Sequence, residues 1–406
     1  MSSSPFKPLW SSPVLGIFTA NVFLAGVGVA AIVPFRAIVG VEALGLSNTV
    51  FAGVMALNAI VGAAAGVLLG WLSDKVGDRR WLVLLCGGIG ALGFALVWLV
   101  RTPLGFMLAF CLFLPFRNAL FSQLFSYSRA YLDRELPGQA EFALSFLRTL
   151  FTLAWIVTPP LAGWLAAEYS AFTAFGFAAI TDVGFLLLFG LLWTRPSTRV
   201  GVESRPGETR ASGPTTPARI PPAYQVGVAG VTLGLIALQL NMMVLPLVIV
   251  KDLGGTLEQV GLNASIAAAI EFPLMLGWGY LASRMRKETI LAISCAALGL
   301  YLGLLSVAHS VLQVFLLQAL AALGISALLS INISYLQEAI KGRLGLSTSL
   351  VDVTRVLSAL VASGVFALSS EAHYAPIMAL AAGAAVGGAA LMLLAGRLNK
   401  RGELQG

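Results

Sequence analysis

Charge is what this sequence has least of. Only 11% of its 406 residues are Asp, Glu, Lys or Arg, where a soluble domain carries about a quarter. There are two histidines and three cysteines. Cys86, Cys111 and Cys295 each lie inside an apolar run, which excludes a disulfide framework and any metal-ligand spacing. His309 and His373 fall in short breaks between such runs and read as solvated loop residues. No glycine-rich phosphate loop, nucleophile–base pattern or metal motif occurs, so no enzyme, no ATP-driven machine, no metal and no cofactor is expected. What fills the chain instead is apolar: 58% of residues are hydrophobic and the mean hydropathy is +0.90. Such a composition belongs to a chain that crosses a lipid bilayer many times. The formal charge of +7 could suggest a nucleic-acid partner. The basic residues sit in short loops between apolar runs, however, which points to topology and not to nucleic acid.

A helix needs roughly 20 apolar residues to span the hydrocarbon. Twelve such runs can be counted, over 13–38, 47–72, 81–100, 103–128, 140–166, 171–194, 224–250, 256–282, 288–307, 310–336, 343–369 and 374–396. The first is too long for a cleaved signal peptide. Between Arg195 and Pro222 lie six prolines, five arginines and many Ser, Thr and Gly, with no apolar run. That stretch reads as a flexible polar linker. The expected organisation is therefore 13–194 as one six-helix bundle, 195–222 as a linker, and 223–396 as a second six-helix bundle. With the amino terminus inside, the cytoplasmic side collects Lys75, Arg79, Arg80, Arg129, Arg134, Arg284, Arg286, Lys287 and the linker arginines. The other side gets little beyond Arg36, Arg101 and Lys251, so both termini are expected in the cytoplasm.

The halves repeat. Gly70-W-L-S-Asp74-Lys75 aligns with Gly279-Y-L-A-Ser283-Arg284, 209 residues later. Arg148 and Arg355 are 207 apart, as are Arg79-Arg80 and Arg286-Lys287. Six ionisable residues lie well inside the apolar runs: Arg117, Arg148, Asp182, Glu271, Asp352 and Arg355. A charge at the bilayer centre costs about 2.5–3.5 kcal/mol on insertion scales, so each must face protein or water. Three are positive and three negative, which permits pairing. Asp352 and Arg355, three apart, share one helix face, and Asp182 reads as structural.

The loop Gly70–Trp81, G-W-L-S-D-K-V-G-D-R-R-W, resembles the signature between the second and third helices of the major facilitator superfamily. In it Gly70 and Gly77 would permit close approach and a tight turn, Asp74 would cap or pair near a helix end, and Arg79 and Arg80 would hold the loop at the cytoplasmic side. Ala154-W-I-V-T-P-P-L-A-Gly163 is similar, in degraded form, to the antiporter motif of that superfamily's exporters. Further segments are similar to the bacterial sugar efflux transporter family: N-A-I-V-G from Asn58, S-Q-L-F-S-Y-S-R-A-Y-L-D from Ser122, L-R-T-L-F-T-L-A-W-I-V-T-P-P-L-A from Leu147, and A-I-E-F-P from Ala269. Arg117 and Asp352 are polar additions to that pattern.

The resemblance implies an all-α membrane protein, with twelve transmembrane helices in two pseudo-symmetric six-helix bundles. It also implies proton-coupled export of small sugars or glycosides by alternating access, from a monomer in a bacterial inner membrane. Helices five and eight, and two and eleven, would then pack across the halves, so that Arg148 could meet Glu271 and Asn58 could lie near Asp352 and Arg355. These four ionisable residues form the expected proton-coupling set. The substrate set comprises Asn21, Asn58, Arg117, Gln123, Tyr127, Trp155, Gln239, Asn241, Gln318 and Asn332, the amide and hydroxyl inventory a polyol needs. Each one alone is more often an interhelical hydrogen bond. A proton-coupled multidrug exporter, an importing symporter and a transporter-fold receptor without flux are the alternatives.

Overall fold

The computed structural model describes residues 13–73, 75–136, 138–200, 221–339 and 344–403, apart from the side chains of 344–348 and 401–403. The described residues hold twelve helices long and apolar enough to cross a membrane. They are α1 (Pro13–Ile32), α2 (Asn48–Ser73), α3 (Arg80–Val100), α4 (Pro103–Glu135), α5 (Ala140–Glu168) and α6 (Thr173–Thr194). The second six are α7 (Pro222–Asp252), α8 (Leu257–Ala282), α9 (Lys287–Leu305), α10 (Val311–Glu338), α11 (Leu344–Ala367) and α12 (Ala375–Glu403). Asp74, expected to cap or pair in the α2–α3 loop, lies outside the described residues.

The helices depart from regularity where sequence requires it. Pro34 disfavours helical backbone at Val33, so α1 stops at Ile32 although the apolar run continues. The chain then makes a π-helical turn, Ile38–Ala43, and leaves it through Gly45 at φ +67°. The end of α7 does the same thing: a π-helical turn at Val248–Asp252, then Gly254 at φ +63°. The backbone bonds correspond one to one at a spacing of 209. Leu44 N–H donates to Val39 O as Leu253 N–H does to Val248 O, and Leu46 N–H to Gly40 O as Gly255 N–H does to Ile249 O. The duplication read from the loop motifs is thus repeated in hydrogen bonding of a rare type.

A third π-helical turn, Ala109–Phe113, interrupts α4. Leu114 N–H bonds back to Ala109 O, so the π partner for Phe110 O would be residue 115. That residue is Pro115 and has no N–H. The orphaned carbonyl is instead satisfied by Asn58 Nδ2 at 2.6 Å. By contrast α5 runs unbroken through Pro159 and Pro160.

Two compact units can be separated. One consists of Met1–Arg36 with Leu57–Pro214, the other of Ala37–Ala56 with Thr215–Gly406. The packing pattern within them repeats: α1 lies on α5 and α6 and α3 on α6, while α7 lies on α11 and α12 and α9 on α12. The connector between α1 and α2 belongs to the second unit. The start of the stretch expected to be flexible linker is also ordered. Residues 196–198 form a 3-10 turn, and Tyr127 Oη donates to Thr198 O at 2.7 Å. Arg134 donates to the carbonyls of Ser197 and Arg199. The Tyr127 ring is itself seated edge-on to Phe18 in the core of the first unit.

Candidate functional site

Four of the membrane-length helices are sparsely buried. The share of buried residues is 28% for α2, 33% for α5, 17% for α8 and 28% for α11, against 44–72% for the other eight. The four hold equivalent places in the two repeats. They also carry Asn58, Arg148, Trp155, Glu271, Asp352 and Arg355. The ionisable side chains of the apolar runs are therefore concentrated on the least covered helices, where hydrocarbon contact would be most costly.

In the first unit Arg148 is exposed, its guanidinium 6.0 Å from the centre of the Phe125 ring. Trp155, two turns along the same helix, is half-buried. In the second unit Glu271 is half-buried on α8, two residues before Pro273. Asp352 and Arg355 approach to 3.6 Å along α11 with 54% and 70% of their side chains exposed. A pair so open contributes little to stability, about 0–1 kcal/mol. Gln239 is half-buried on α7.

The remaining charged pair has a different character. The guanidinium of Arg117, expected to face a ligand, is 2% exposed. It is bound through Nε to Asp182 Oδ2 at 2.7 Å, and through Nη2 to Asp182 Oδ1 at 2.9 Å and Ala25 O at 3.0 Å. Two glycines make the room. A Cβ on Gly90 would come within 2.5 Å of Arg117 Cδ, and one on Gly28 within 2.7 Å of Asp182 Oδ1. Four helices (α1, α3, α4 and α6) thus meet on one bidentate pair, with Nε and Nη2 of Arg117 taken up by Asp182 and Ala25 O.

Other candidate ligand contacts are also engaged inside their own bundle. Gln318 Nε2 donates to Tyr301 Oη at 3.4 Å, and Tyr301 Oη donates to Asn241 Oδ1 at 3.2 Å. All three are buried, and this chain ties α10, α9 and α7 together. Tyr301 was not legible as a polar anchor, because a single tyrosine in an apolar run carries no spacing signal. It lies within electrostatic reach of Glu271. Tyr127 is fully buried with its hydroxyl on Thr198 O. Asn21 is buried and donates to Ile17 O at 2.9 Å, and Gln123 is buried on α4. Asn21 Oδ1 and Asn332 Oδ1 are buried without a partner among the described residues.

In the α2–α3 loop, a Cβ at Gly70 or Gly77 would meet nothing within 4 Å among the described residues, and neither glycine has positive φ. Arg80 is buried, 4% exposed. Its Nε and Nη2 hold Asp78 at 3.0 and 2.6 Å, and its Nη1 donates to Leu192 O and Thr198 Oγ1, each at 3.1 Å. The guanidinium lies 4.4 Å from the Trp193 ring centre. Arg79 donates through Nη1 to Ser126 Oγ at 3.3 Å and from its backbone to Val200 O. The motif's arginines thus bind the end of α6 and the first residues after it.

Comparison with known proteins agrees with this architecture. The Sugar efflux transporter A of Dickeya chrysanthemi is 28% identical over 81% of this chain and 83% of its own. The Sugar efflux transporter B of Salmonella typhimurium is 29% identical over 77% of this chain and 78% of its own. Among solved structures, a peptide transporter POT in complex with sulfate has a TM-score of 0.79 at 14% identity, covering 98% of this chain and 99% of that one. At that identity the likeness speaks for the fold. The family model of the Major Facilitator Superfamily matches residues 2–140 and 227–404. This chain, an all-helical membrane transporter and not an enzyme, belongs to the Major Facilitator Superfamily.

Proposed function

We propose that the protein exports small sugars or glycosides across a bacterial inner membrane in exchange for protons, acting as a monomer with both termini in the cytoplasm. The observation that carries this reading is the placement of Arg148, Glu271, Asp352 and Arg355 on α5, α8 and α11, which are among the least buried helices. Charges there are tolerable only against water or protein, so these faces line an aqueous path that each side reaches in turn. The resemblance to sugar efflux transporters supplies the substrate class.

In the proposed cycle Glu271 takes up a proton from one side. Its neutral form loses its attraction for cationic groups, Arg148 or Arg355, and the balance between the two facing states shifts. Substrate hydroxyls and the proton compete for the same charge, which gives exchange. The substrate contacts are Asn58, Trp155 and Gln239, the candidates that remain partly accessible. Arg117, Tyr127, Asn241 and Gln318 hold the walls in place. Asn21, Gln123 and Asn332 are buried and stand behind that surface.

The test is Glu271→Gln in proteoliposomes. Sugar binding, read by ligand-induced thermal stabilisation, should survive, and uptake driven by an imposed pH gradient should disappear. Undiminished proton-driven flux in the variant would exclude Glu271 from coupling. Stabilisation by amphipathic cations and not by sugars would instead favour a multidrug exporter.

A further inference from the structure

The end of the first unit where α3 begins and α6 finishes carries two open tryptophans. Trp81 is 60% exposed and Trp193 36% exposed, with ring centres 4.7 Å apart at 69°. Neither is needed to join the helix ends, because Arg80 already does so through Leu192 O and Thr198 Oγ1. The second unit shows the alternative. There Glu288 follows Arg286-Lys287 as Trp81 follows Arg79-Arg80, 207 residues later. Glu288 is 6% exposed, and its Oε1 accepts from Asn399 Nδ2 of α12 at 2.8 Å. One repeat closes this position with an internal hydrogen bond, while the other leaves an aromatic ledge. Indole rings, apolar in body with one N–H donor, suit the layer between hydrocarbon and headgroups.

The same place has a surplus of positive charge. Arg79, Arg80, Arg134, Arg195 and Arg199 stand against two carboxylates, Asp78 and Glu135. Arg80 holds Asp78 at 2.6 Å and Arg134 holds Glu135 at 3.0 Å. Arg79, Arg195 and Arg199 are left without an ion pair among the described residues. Arg79 Nη1 reaches Ser126 Oγ at 3.3 Å, but its Nε is buried without a partner. Arg195 is half-buried and Arg199 exposed. The stretch that carries them is fastened: Arg134 donates to the carbonyls of Ser197 and Arg199, and Arg79 N–H to Val200 O at 3.2 Å. Charges on a fixed backbone bind a partner at a lower ordering cost than charges on a loose one.

We propose that Trp81 and Trp193, with the unpaired Arg79, Arg195 and Arg199, form a site for the headgroup of an anionic phospholipid. The guanidinium groups take the phosphate by charge-assisted hydrogen bonds, and the indoles receive the glycerol and the first acyl carbons. A lipid phosphate, and not a free one, is the occupant because the charges adjoin open apolar rings at the ends of two membrane-length helices. The site requires neither sugar export nor proton exchange. The proposed topology decides only the leaflet that supplies the lipid, the cytoplasmic one.

The test titrates the purified full-length protein in detergent with phosphatidylglycerol and, separately, with phosphatidylcholine, and counts bound lipid by native mass spectrometry. Phosphatidylglycerol should bind at least about tenfold tighter. Each arginine near the headgroup contributes a factor of about 5, so Arg195→Gln with Arg199→Gln should weaken phosphatidylglycerol about 25-fold and leave phosphatidylcholine unchanged. Trp193→Leu should weaken both lipids about 3-fold. Arg397→Gln with Lys400→Gln, which removes two exposed charges near the end of α12, should change neither. Equal affinity for the two lipids, or an unaltered Arg195/Arg199 double variant, overturns the proposal. An equal loss in the α12 variant also overturns it, by showing a diffuse charge effect. Release of phosphatidylglycerol by millimolar inorganic phosphate would give the arginines to a free anion and overturn the lipid site as well. Absence of sugar flux in proteoliposomes would count against the export reading and leave these lipid affinities to decide the site.

Discussion

Asp182→Asn removes one charge from the pair at the centre of the first bundle and leaves its shape almost unchanged. Arg117 would keep its bond to Ala25 O but face a neutral amide in place of a carboxylate, with only 2% of its surface exposed. Breaking one side of a buried pair costs about 3–5 kcal/mol, because the remaining charge is uncompensated. Gly28 and Gly90 bring their helices close against the pair, and a Cβ at either would clash with it. The loss should appear as destabilisation of that size in a detergent-unfolding titration followed by tryptophan fluorescence. Arg117→Met combined with Asp182→Leu removes both charges and fills the volume, and should recover stability to within about 1–2 kcal/mol. If Arg117 only holds helices together, the double variant also transports with an unaltered KM. A single variant within about 0.5 kcal/mol of wild type would refute the buried-pair argument. A stable double variant with lost substrate affinity would return Arg117 to the ligand site.

Asn58→Leu leaves Phe110 O without a partner at the π-helical turn of α4. It should cost about 1–3 kcal/mol in the same titration, with a larger effect on transport if Asn58 also touches substrate. Arg80→Ala releases Thr198 and the end of α6, so trypsin should cut at Arg195 and Arg199 at least tenfold faster than in wild type, read by mass spectrometry.

Most of the architecture was legible because hydropathy is a long-range average: the twelve apolar runs correspond to the twelve membrane-length helices among the described residues. The ends were less so. The first run reads through Pro34 to residue 38, whereas α1 stops at Ile32. The fourth run closes at residue 128, whereas α4 continues to Glu135 as an amphipathic turn braced by Arg129 on Asp133 and Glu141. The π-helical turns leave no mark on apolar periodicity. Pairings such as Arg117 with Asp182, 65 residues apart on different helices, depend on crossing geometry that spacing does not encode. The partners of Arg80 were hidden for a related reason. In a basic loop it counts as a topology signal, and spacing does not show that Asp78, two residues before it, and the carbonyl of Leu192 hold it inside the protein.

The central claim is that the ion-bearing faces of α5, α8 and α11 meet water and not lipid. Single cysteines at positions 148, 271 and 355, in a background lacking the native three, can be titrated in membrane vesicles with a membrane-impermeant maleimide. Position 316 on α10, where Leu316 is 71% exposed, serves as the lipid-facing reference. The account predicts labelling at 148, 271 and 355 at rates close to those of a loop cysteine, from one side or the other, and none at 316. Equal silence at all four positions would contradict it.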